Sequence, residues 1–364
     1  MIERIMLSSS HFKTEHLTHQ TMSKRPKLQD DFITLAHGNG GRYMRELIDH
    51  LFVHYLQNES LDTTVDAARL SIDLMSGEQE LMVTTDGFTV DPLEFPGGNI
   101  GSLAVHGTIN DLAVSGATPI YLTLNAFIEE GLDVAVLERI LAAMEEACRE
   151  SDVRVVAGDT KVVRRGQGGG IYLATTGIGL RPRALKLGLE LLQADDKILV
   201  SGSVGDHGTA VMLAREQFGL RGDLQSDATS VFPIAQSLLT IPGLRFMRDP
   251  TRGGIATVAH EMARASSSTV RLFESSIPVK GPVRAVCEML GYDPYFLACE
   301  GRVVAVLAPE SADAALSLLN DNDFRDAAII GEIMSGPSRV VLETRLGGER
   351  ILEELEDDPL PRIC

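Results

Sequence analysis

The sequence predicts an α/β protein built as two successive units with a short arm behind them. Three observations carry that reading. Short apolar runs of strand type alternate with amphipathic helical stretches over most of the 364 residues. The alternation pauses at "RPRALKLG" (181–188) and resumes at "DDKILVSGSVGDHG". Both halves use the same order of strand, glycine turn and helix, as a distant duplication would. At 44% hydrophobic residues, the chain has enough apolar side chains for two cores.

Residues 1–33 are polar and aperiodic, and read as a disordered leader. They lack the apolar centre of a signal peptide. "RYMRELIDHLFVHYL" then places Met44, Leu47, Ile48, Leu51, Phe52 and Tyr55 at helical spacing. Residues 58–80 are polar and read as loop or edge. "ELMVTTDG" is a strand ending at Asp86, and "ATPIYLTLNAFI" is another. "LDVAVLERILAAMEEACRES" is an amphipathic helix through Val134, Leu137, Ile140, Leu141 and Met144. "VRVVAGDT" is a strand ending at Asp159, and "GIYLATTGIGL" is a fourth. The second unit predicts helices near 208–218 and 252–265 and a strand at "RVVAVLAP". The units are 34–188 and 189–342, leaving 343–364 as a mobile arm.

Net charge is −18, from 33 basic and 51 acidic residues. Such a surface repels phosphate backbones and argues against a nucleic-acid partner. ATP held through metal ions and backbone amides stays compatible with it. No apolar run approaches the roughly 18 residues of a membrane span, so the chain reads as cytoplasmic. The cysteines are Cys148, Cys287, Cys299 and Cys364, with no CxxC pair, so a zinc or redox site has no support. Cys148 and Cys287 read as inert core thiols.

Three clusters in the first unit suit phosphate chemistry. "AHGNGG" brings Gly38, Gly40 and Gly41 to the start of the first helix, where free N–H groups can meet an anion. A plain helix-start loop explains that stretch equally well. Residues 84–118 hold Asp86 after a strand, the turn "FPGGN" with Gly97 and Gly98, and a helix of small residues carrying Asp111. "AGDTKVV" places Asp159 and Lys161 together. Mg2+ takes carboxylate and phosphate oxygens, so convergence of Asp86, Asp111 and Asp159 on a triphosphate would fit. Single aspartates on turns are more often caps. In the second unit, "GSVGDHG" has GxxGxxG spacing and is a weak dinucleotide signal. Arg252 in "RDPTRGG" suits an anion or solvent equally, and Glu300 in "CEG" suits a general base or the surface.

The chain ends "EDDPLPRIC". Pro359 and Pro361 hold it extended and remove two donors. The acids before them favour solvent, and the acids and α-carboxylate disfavour a thiolate on Cys364. An exposed terminal thiol suits a carrier better than an ordinary frayed end.

In order, "AHGNGG", "TTDGFTVDPLEFPGGNIG", "GTINDLAVSGATP", "GDTKVV", "GDHG", "RDPTRGG" and terminal "PRIC" resemble the HypE family of hydrogenase maturation carbamoyl dehydratases. The resemblance runs from about residue 34 to Cys364; "CEG" departs from an expected "NEG" at Cys299. It implies a PurM-like fold, with an N-terminal ATP-binding α/β domain that dimerises through its sheet and a C-terminal α+β domain. It implies that Cys364 receives a carbamoyl group from the carbamoyltransferase HypF. ATP then drives dehydration to thiocyanate, and the cyano group passes to iron on a HypC–HypD complex. The nucleotide contacts implied are Gly38, Gly40, Gly41, Asp86, Gly97, Gly98, Asn99, Asn110, Asp111, Asp159, Thr160 and Lys161. Mg2+ would sit on Asp86, Asp111 and Asp159. Cys364, Lys161, Glu300 and Asp111 would carry the chemistry. Two other readings compete: a sister synthetase of the same fold, such as selenophosphate synthetase, and a non-catalytic scaffold. "HGNGG" has no cysteine, which weighs against the former.

Overall fold

A computed structural model describes residues 41–47, 49, 64, 68–70, 77–215, 222–356, 360 and 362–364. The expected leader and the loop glycines Gly38 and Gly40 lie outside the described residues.

The first unit runs α1 (Arg42–Leu47), β1 (Ala68–Leu70), β2 (Gln79–Phe88), β3 (Glu94–Phe95), β4 (Gly98–Asn99), α2 (Ile100–Val114), β5 (Thr118–Glu129), α3 (Val134–Glu150), β6 (Arg154–Val163) and β7 (Ile171–Pro182). Its five-stranded sheet has the order β1-β2-β7-β5-β6. β5 and β6 are parallel, as the α3 crossover between them requires, and the other neighbours are antiparallel. The strands ending at Asp86 and Asp159 in the sequence reading continue to Phe88 and Val163.

α2 explains its own composition. It is buried on nearly every side, between the sheet, α3 and the second unit. A Cβ on Gly101 would stand 2.2 Å from the Ile140 carbonyl, so only glycine lets α2 and α3 cross this closely. Ile100, Leu103, Ile109 and Leu112 are fully buried, each worth about 2 kcal/mol of burial. At the far end Arg181 bonds Glu80 at 2.9 Å and the Ser115 carbonyl at 3.1 Å, tying the sheet to the end of α2.

The second unit runs β8 (Lys197–Val200), α4 (Asp206–Ala214), α5 (Phe232–Leu239), β9 (Leu244–Arg248), α6 (Gly254–Ser266), β10 (Thr269–Phe273), α7 (Gly281–Leu290), β11 (Val304–Leu307), α8 (Ala312–Asp321), β12 (Ala328–Met334), β13 (Arg339–Glu343) and β14 (Glu349–Ile351). Its seven strands order as β14-β13-β10-β12-β8-β11-β9. Asn110 of α2 joins the units: its amide donates to Thr229 O (3.0 Å) and Glu300 O (3.1 Å), and its oxygen accepts from Val231 N–H (2.8 Å). Among the described residues no helix is long and apolar enough to cross a membrane.

The arm starts later than 343. β14 pairs with β13, and Leu352 is buried. The Leu352 carbonyl accepts from His260 at 2.9 Å, and Glu354 pairs with Arg264 at 2.8 Å and with Arg45. The acids of this stretch read as solvated because sequence cannot show arginines that fold beside them.

Candidate functional site

Two acids from the second unit meet Asp86 at the junction of the units. β2 alternates in burial, so Thr84 and Asp86 share the face toward α2. Asp86 accepts from Gly87 N–H at 2.8 Å, and a Cβ on Gly107 of α2 would stand 3.7 Å from its Oδ2. One turn on, Asp111 accepts from the Thr84 hydroxyl at 2.7 Å. Asp249 follows β9 and Glu300 precedes β11, both buried. Burial, then the charges of Asp86 and Glu261, push Asp249 up to about 6 against the pull of Arg248. Burial, then Asp249, Asp86 and Asp227, push Glu300 well above the usual carboxylate range, with Arg252 opposing. Burial also raises Asp86, again opposed by Arg252. Glu300 Oε1 is buried with no hydrogen-bond partner. These groups are a set of hard, charge-poor oxygens, the environment that marks functional carboxyls.

That set differs from the expected one. Asp86 lines up with Thr175 of β7, Thr175 with Leu124 of β5, and Leu124 with Gly158 of β6. Asp159 therefore lies three strands from Asp86, about 14 Å at the usual strand spacing, too far for one ion to be held by both. Lys161 pairs with Phe127 and Phe127 with Tyr172, so Lys161 stands equally far across the sheet from the end of β2. Lys161 is exposed on the edge strand beside Thr160. Among the described residues no three acids, histidines or cysteines form a ready metal cage. Asp86 with Asp111 or Asp249 can still offer one or two carboxylates to a cation whose other oxygens come from phosphate, the usual Mg2+ arrangement.

The turn "FPGGN" is not an open anion cradle. Asn99 caps α2, accepting from Gly101 N–H (2.8 Å) and Ser102 N–H (3.2 Å), while its own N–H donates to Ser102 Oγ (3.2 Å). Gly97, at φ 97°, lies so close to Ser226 that a Cβ would stand 2.9 Å from its nitrogen. The Pro96 carbonyl accepts that N–H at 2.8 Å. Gly98 likewise leaves room for Ser102 Oγ, 3.0 Å from where its Cβ would be. Asn110, expected on nucleotide, has its side chain committed to the unit junction. Gly41 is buried beside α1.

The end of the chain packs on the extension of β2 and shares a small cavity with Arg252, the cation that faces Asp86 and Glu300. Thr89 N–H and Oγ1 donate to the Cys364 carbonyl at 3.1 and 3.2 Å, and Asp91 N–H donates to the Arg362 carbonyl at 3.1 Å. The last residues thereby run antiparallel to the extension of β2. Arg215 donates to the Arg362 carbonyl at 2.7 Å, and His207 Nε2 donates to the Ile363 carbonyl at 2.8 Å. His207 Nδ1 faces Ser226 Oγ at 2.8 Å, and Ser226 Oγ accepts from Ala228 N–H at 3.0 Å. Because the Ile363 carbonyl can only accept, the neutral ring carries its proton on Nε2, and Nδ1 accepts from the Ser226 hydroxyl. Burial favours that neutral ring, with Asp227 and the Ile363 carbonyl opposing. Leu360 and Ile363 are buried against Arg252, Gly253 and 296–298. Arg362 donates to the Thr89 carbonyl at 2.9 Å and lies over the Tyr172 ring.

Among the cysteines, Cys299 is fully buried, accepts from Gly205 N–H at 3.2 Å, and is pushed well up by burial. Cys287 is pushed to about 11. Cys148 and Cys364 are half-buried. Asp249, His207, Arg215 and Thr89 escaped the sequence reading: each is a single polar residue with no local pattern, although His207 and Asp249 lie inside the quoted "GDHG" and "RDPTRGG".

Residues 65–181 match the family described as AIR synthase related protein, N-terminal domain, and residues 193–343 match its C-terminal domain. The Carbamoyl dehydratase HypE of Azotobacter vinelandii is 43% identical over 343 residues, 93% of this chain and 99% of its own. A crystal structure of a HypE–HypF complex matches with TM-score 0.78 at 39% identity, over 85% of this chain and 99% of that one. A hydrogenase maturation protein HypE in complex with ATP matches with TM-score 0.75 at 42% identity, over 92% and 100%. The two-unit PurM-like fold and the likeness along the whole described chain agree: this protein belongs to the carbamoyl dehydratase HypE family.

Proposed function

We propose that this chain dehydrates a carbamoyl group carried on its own Cys364, at the expense of ATP, to give a thiocyanate for the cyano ligand of a [NiFe]-hydrogenase. One observation carries this reading: the last three residues pair with Thr89 and Asp91 on the strand that bears Asp86. Thr89 is three residues past Asp86, about 10 Å along an extended chain, which supports an approach of the arm's end to the buried acids.

ATP, when bound, supplies the phosphoryl group that turns the carbamoyl oxygen into a leaving group. Asp86, with Asp111 or Asp249, would hold Mg2+ together with the phosphates, and Asp159 and Lys161 would act elsewhere on the nucleotide or at a subunit contact. Arg252 offsets negative charge near Glu300. Glu300, whose burial makes its ionised carboxylate a stronger base than usual, would take the N–H proton as the C≡N bond forms.

The relative's complex with HypF supports HypF as carbamoyl donor; HypC–HypD would take the cyano group onward. Loading and delivery require that Leu360 and residues 362–364 leave their seat. Tyr121, Phe127, Val155, Val156 and Val162 of β5 and β6 are exposed apolar residues, which suit a homodimer through the sheet.

Cys364→Ala should bind ATP normally and form no thiocyanate after incubation with HypF, carbamoyl phosphate and ATP. Mass spectrometry of the C-terminal peptide of the parent chain reads the adduct. A cyano group on Cys148, Cys287 or Cys299 instead overturns the reading.

A further inference from the structure

The contacts that hold the arm's end are concentrated in very few residues. Three consecutive carbonyls, those of Arg362, Ile363 and Cys364, each accept from the folded core: Asp91 N–H and Arg215, His207 Nε2, and Thr89 N–H and Oγ1. Two side chains, Leu360 and Ile363, are buried, at 3% exposure each. A third, Arg362, donates to the Thr89 carbonyl, lies 3.7 Å from the Asp91 carboxylate and covers Tyr172. A Cβ on Gly169 would stand 2.4 Å from the Arg362 guanidinium, so glycine at 169 makes room for that side chain. This is strand addition with side-chain pockets, a recognised mode of peptide capture. Backbone bonds supply affinity, and the pockets for leucine, arginine and isoleucine supply sequence selection. The preceding anchor, β14 to Glu354, is a separate set of contacts on β13, α1 and α6.

We infer that this cleft is a C-terminal peptide-binding site in its own right, and that it accepts a free peptide ending Leu-Pro-Arg-Ile-Cys supplied in trans. The inference rests on the proposed dehydration. The covalent tether then contributes effective concentration, of millimolar order for a short flexible link, and no recognition. The step in trans is the same as in cis. The peptide S-carboxamide loses its oxygen to the γ-phosphoryl group of ATP and both amide protons, and the products are peptide thiocyanate, ADP and phosphate. His207 and Arg215 are positioning residues: they act through the peptide backbone and touch no reacting atom.

The test uses the full chain carrying Ile363→Asp and Cys364→Ser, whose own end neither seats well nor carries the group. Binding of an N-terminally labelled Leu-Pro-Arg-Ile-Cys peptide is read by anisotropy. Turnover of its S-carbamoyl form with Mg2+ and ATP is read by mass spectrometry as loss of one water. Saturable binding is expected, with nitrile formed on the peptide. An Arg-to-Glu change in the peptide should weaken binding at least tenfold. His207→Ala should raise KM for the peptide about tenfold and leave kcat within a few-fold, a split that general misfolding would not give. Absence of binding at several millimolar, or equal turnover of the Arg-to-Glu peptide, overturns the inference. If the parent chain forms nitrile on its own Cys364 while the free peptide does not react, the inference fails and the dehydratase reading stands. If the parent chain forms none, that reading fails instead.

Discussion

Two groups of buried acids share the second unit, and they are built differently. Asp206 and Asp227 are each paired with donors through at least one oxygen, although Asp206 Oδ1, like Glu300 Oε1, is buried with no hydrogen-bond partner. Asp206 Oδ2 accepts from Ser203 (2.6 Å), Lys280 (2.6 Å) and Arg302 (3.2 Å). Asp227 accepts from the N–H groups of Glu300 (3.4 Å) and Gly301 (3.2 Å) and lies 3.5 Å from Arg302. Asp249 and Glu300 are pushed up by burial and by neighbouring acids, Asp86 among them, with Arg248 opposing at Asp249 and Arg252 at Glu300, and Glu300 Oε1 has no hydrogen-bond partner. The first group fixes the loops that carry His207 and Glu300. The second keeps carboxyls that burial and neighbouring charge hold toward the neutral form, at a cost in free energy that a cation and a reacting proton can relieve. The comparison separates acids that hold the fold from acids that work.

The largest effect that would sharpen this contrast is kinetic. Glu300→Gln keeps shape and removes the base, so dehydration should fall at least about 100-fold while the melting temperature holds. Single-turnover formation of thiocyanate on preloaded Cys364 measures it; a loss under fivefold would take Glu300 out of proton transfer. Next in size is a stability loss. Asp206→Ala leaves Arg302 facing Asp227 alone and Lys280 without its carboxylate, and should cost about 3 kcal/mol, read by denaturant unfolding. If Asp206→Ala proves neutral, the two groups are not different in kind.

The fold was legible because strand and helix periods are local properties. β2, β5, β7 and α3 all lie where alternation and helical spacing put them. The glycines of α2 signalled close packing, which Gly101 against Ile140 explains. The site was legible only in part. Asp86 and Glu300 carry recognisable settings, whereas pairing Asp86 with Asp249 needs the register of two sheets and the contact between units. Asp159 looked equivalent to Asp86 because both follow apolar runs, and only strand order separates them. The arm misled for a similar reason. Its acids and prolines outweigh Leu360 and Ile363 in any local reading, yet those two apolar residues are the ones that insert.

A smaller effect, with the opposite sign, tests the working group. The Asp249 carboxyl stands at about 6 against an ordinary 3.8, a gap worth at most about 3 kcal/mol at 1.36 kcal/mol per unit. The folded state therefore binds this proton more readily than the unfolded one. Its charge destabilises the fold above pH 6, and the penalty fades as pH falls from about 6 toward 3.8. Asp249→Asn should stabilise the nucleotide-free protein by about 1–2 kcal/mol at pH 7. That advantage should shrink toward zero near pH 4. The same variant should lose most Mg2+–ATP-dependent thermal stabilisation. The difference between variant and parent matters, because His106, lowered to about 4 by burial, gives the parent an opposing trend: its fold loses stability as pH falls below 6.5. An advantage that grows with acid would contradict the assignment of Asp249.

The smallest effect concerns the seat of Cys364. Thr89 holds the terminal carbonyl twice, through N–H and through Oγ1. Thr89→Ala removes only the second bond and leaves the backbone pairing intact. One hydrogen bond to a half-exposed carboxylate oxygen is worth about 1.5 kcal/mol net, so the equilibrium constant for docking the arm should fall about tenfold. Thr89→Pro deletes the N–H as well and should loosen the arm much further. Accessibility of Cys364 to a thiol reagent reports both, since a seated thiol is half-buried. If Ala and Pro label equally fast, the backbone pairing contributes nothing and the apolar pockets for Leu360 and Ile363 hold the arm alone. If labelling rises in steps from parent to Ala to Pro, strand addition sets the docked state. Glu300→Gln, which alters a charge-poor group but no contact of the seat, should then label at the parent's rate.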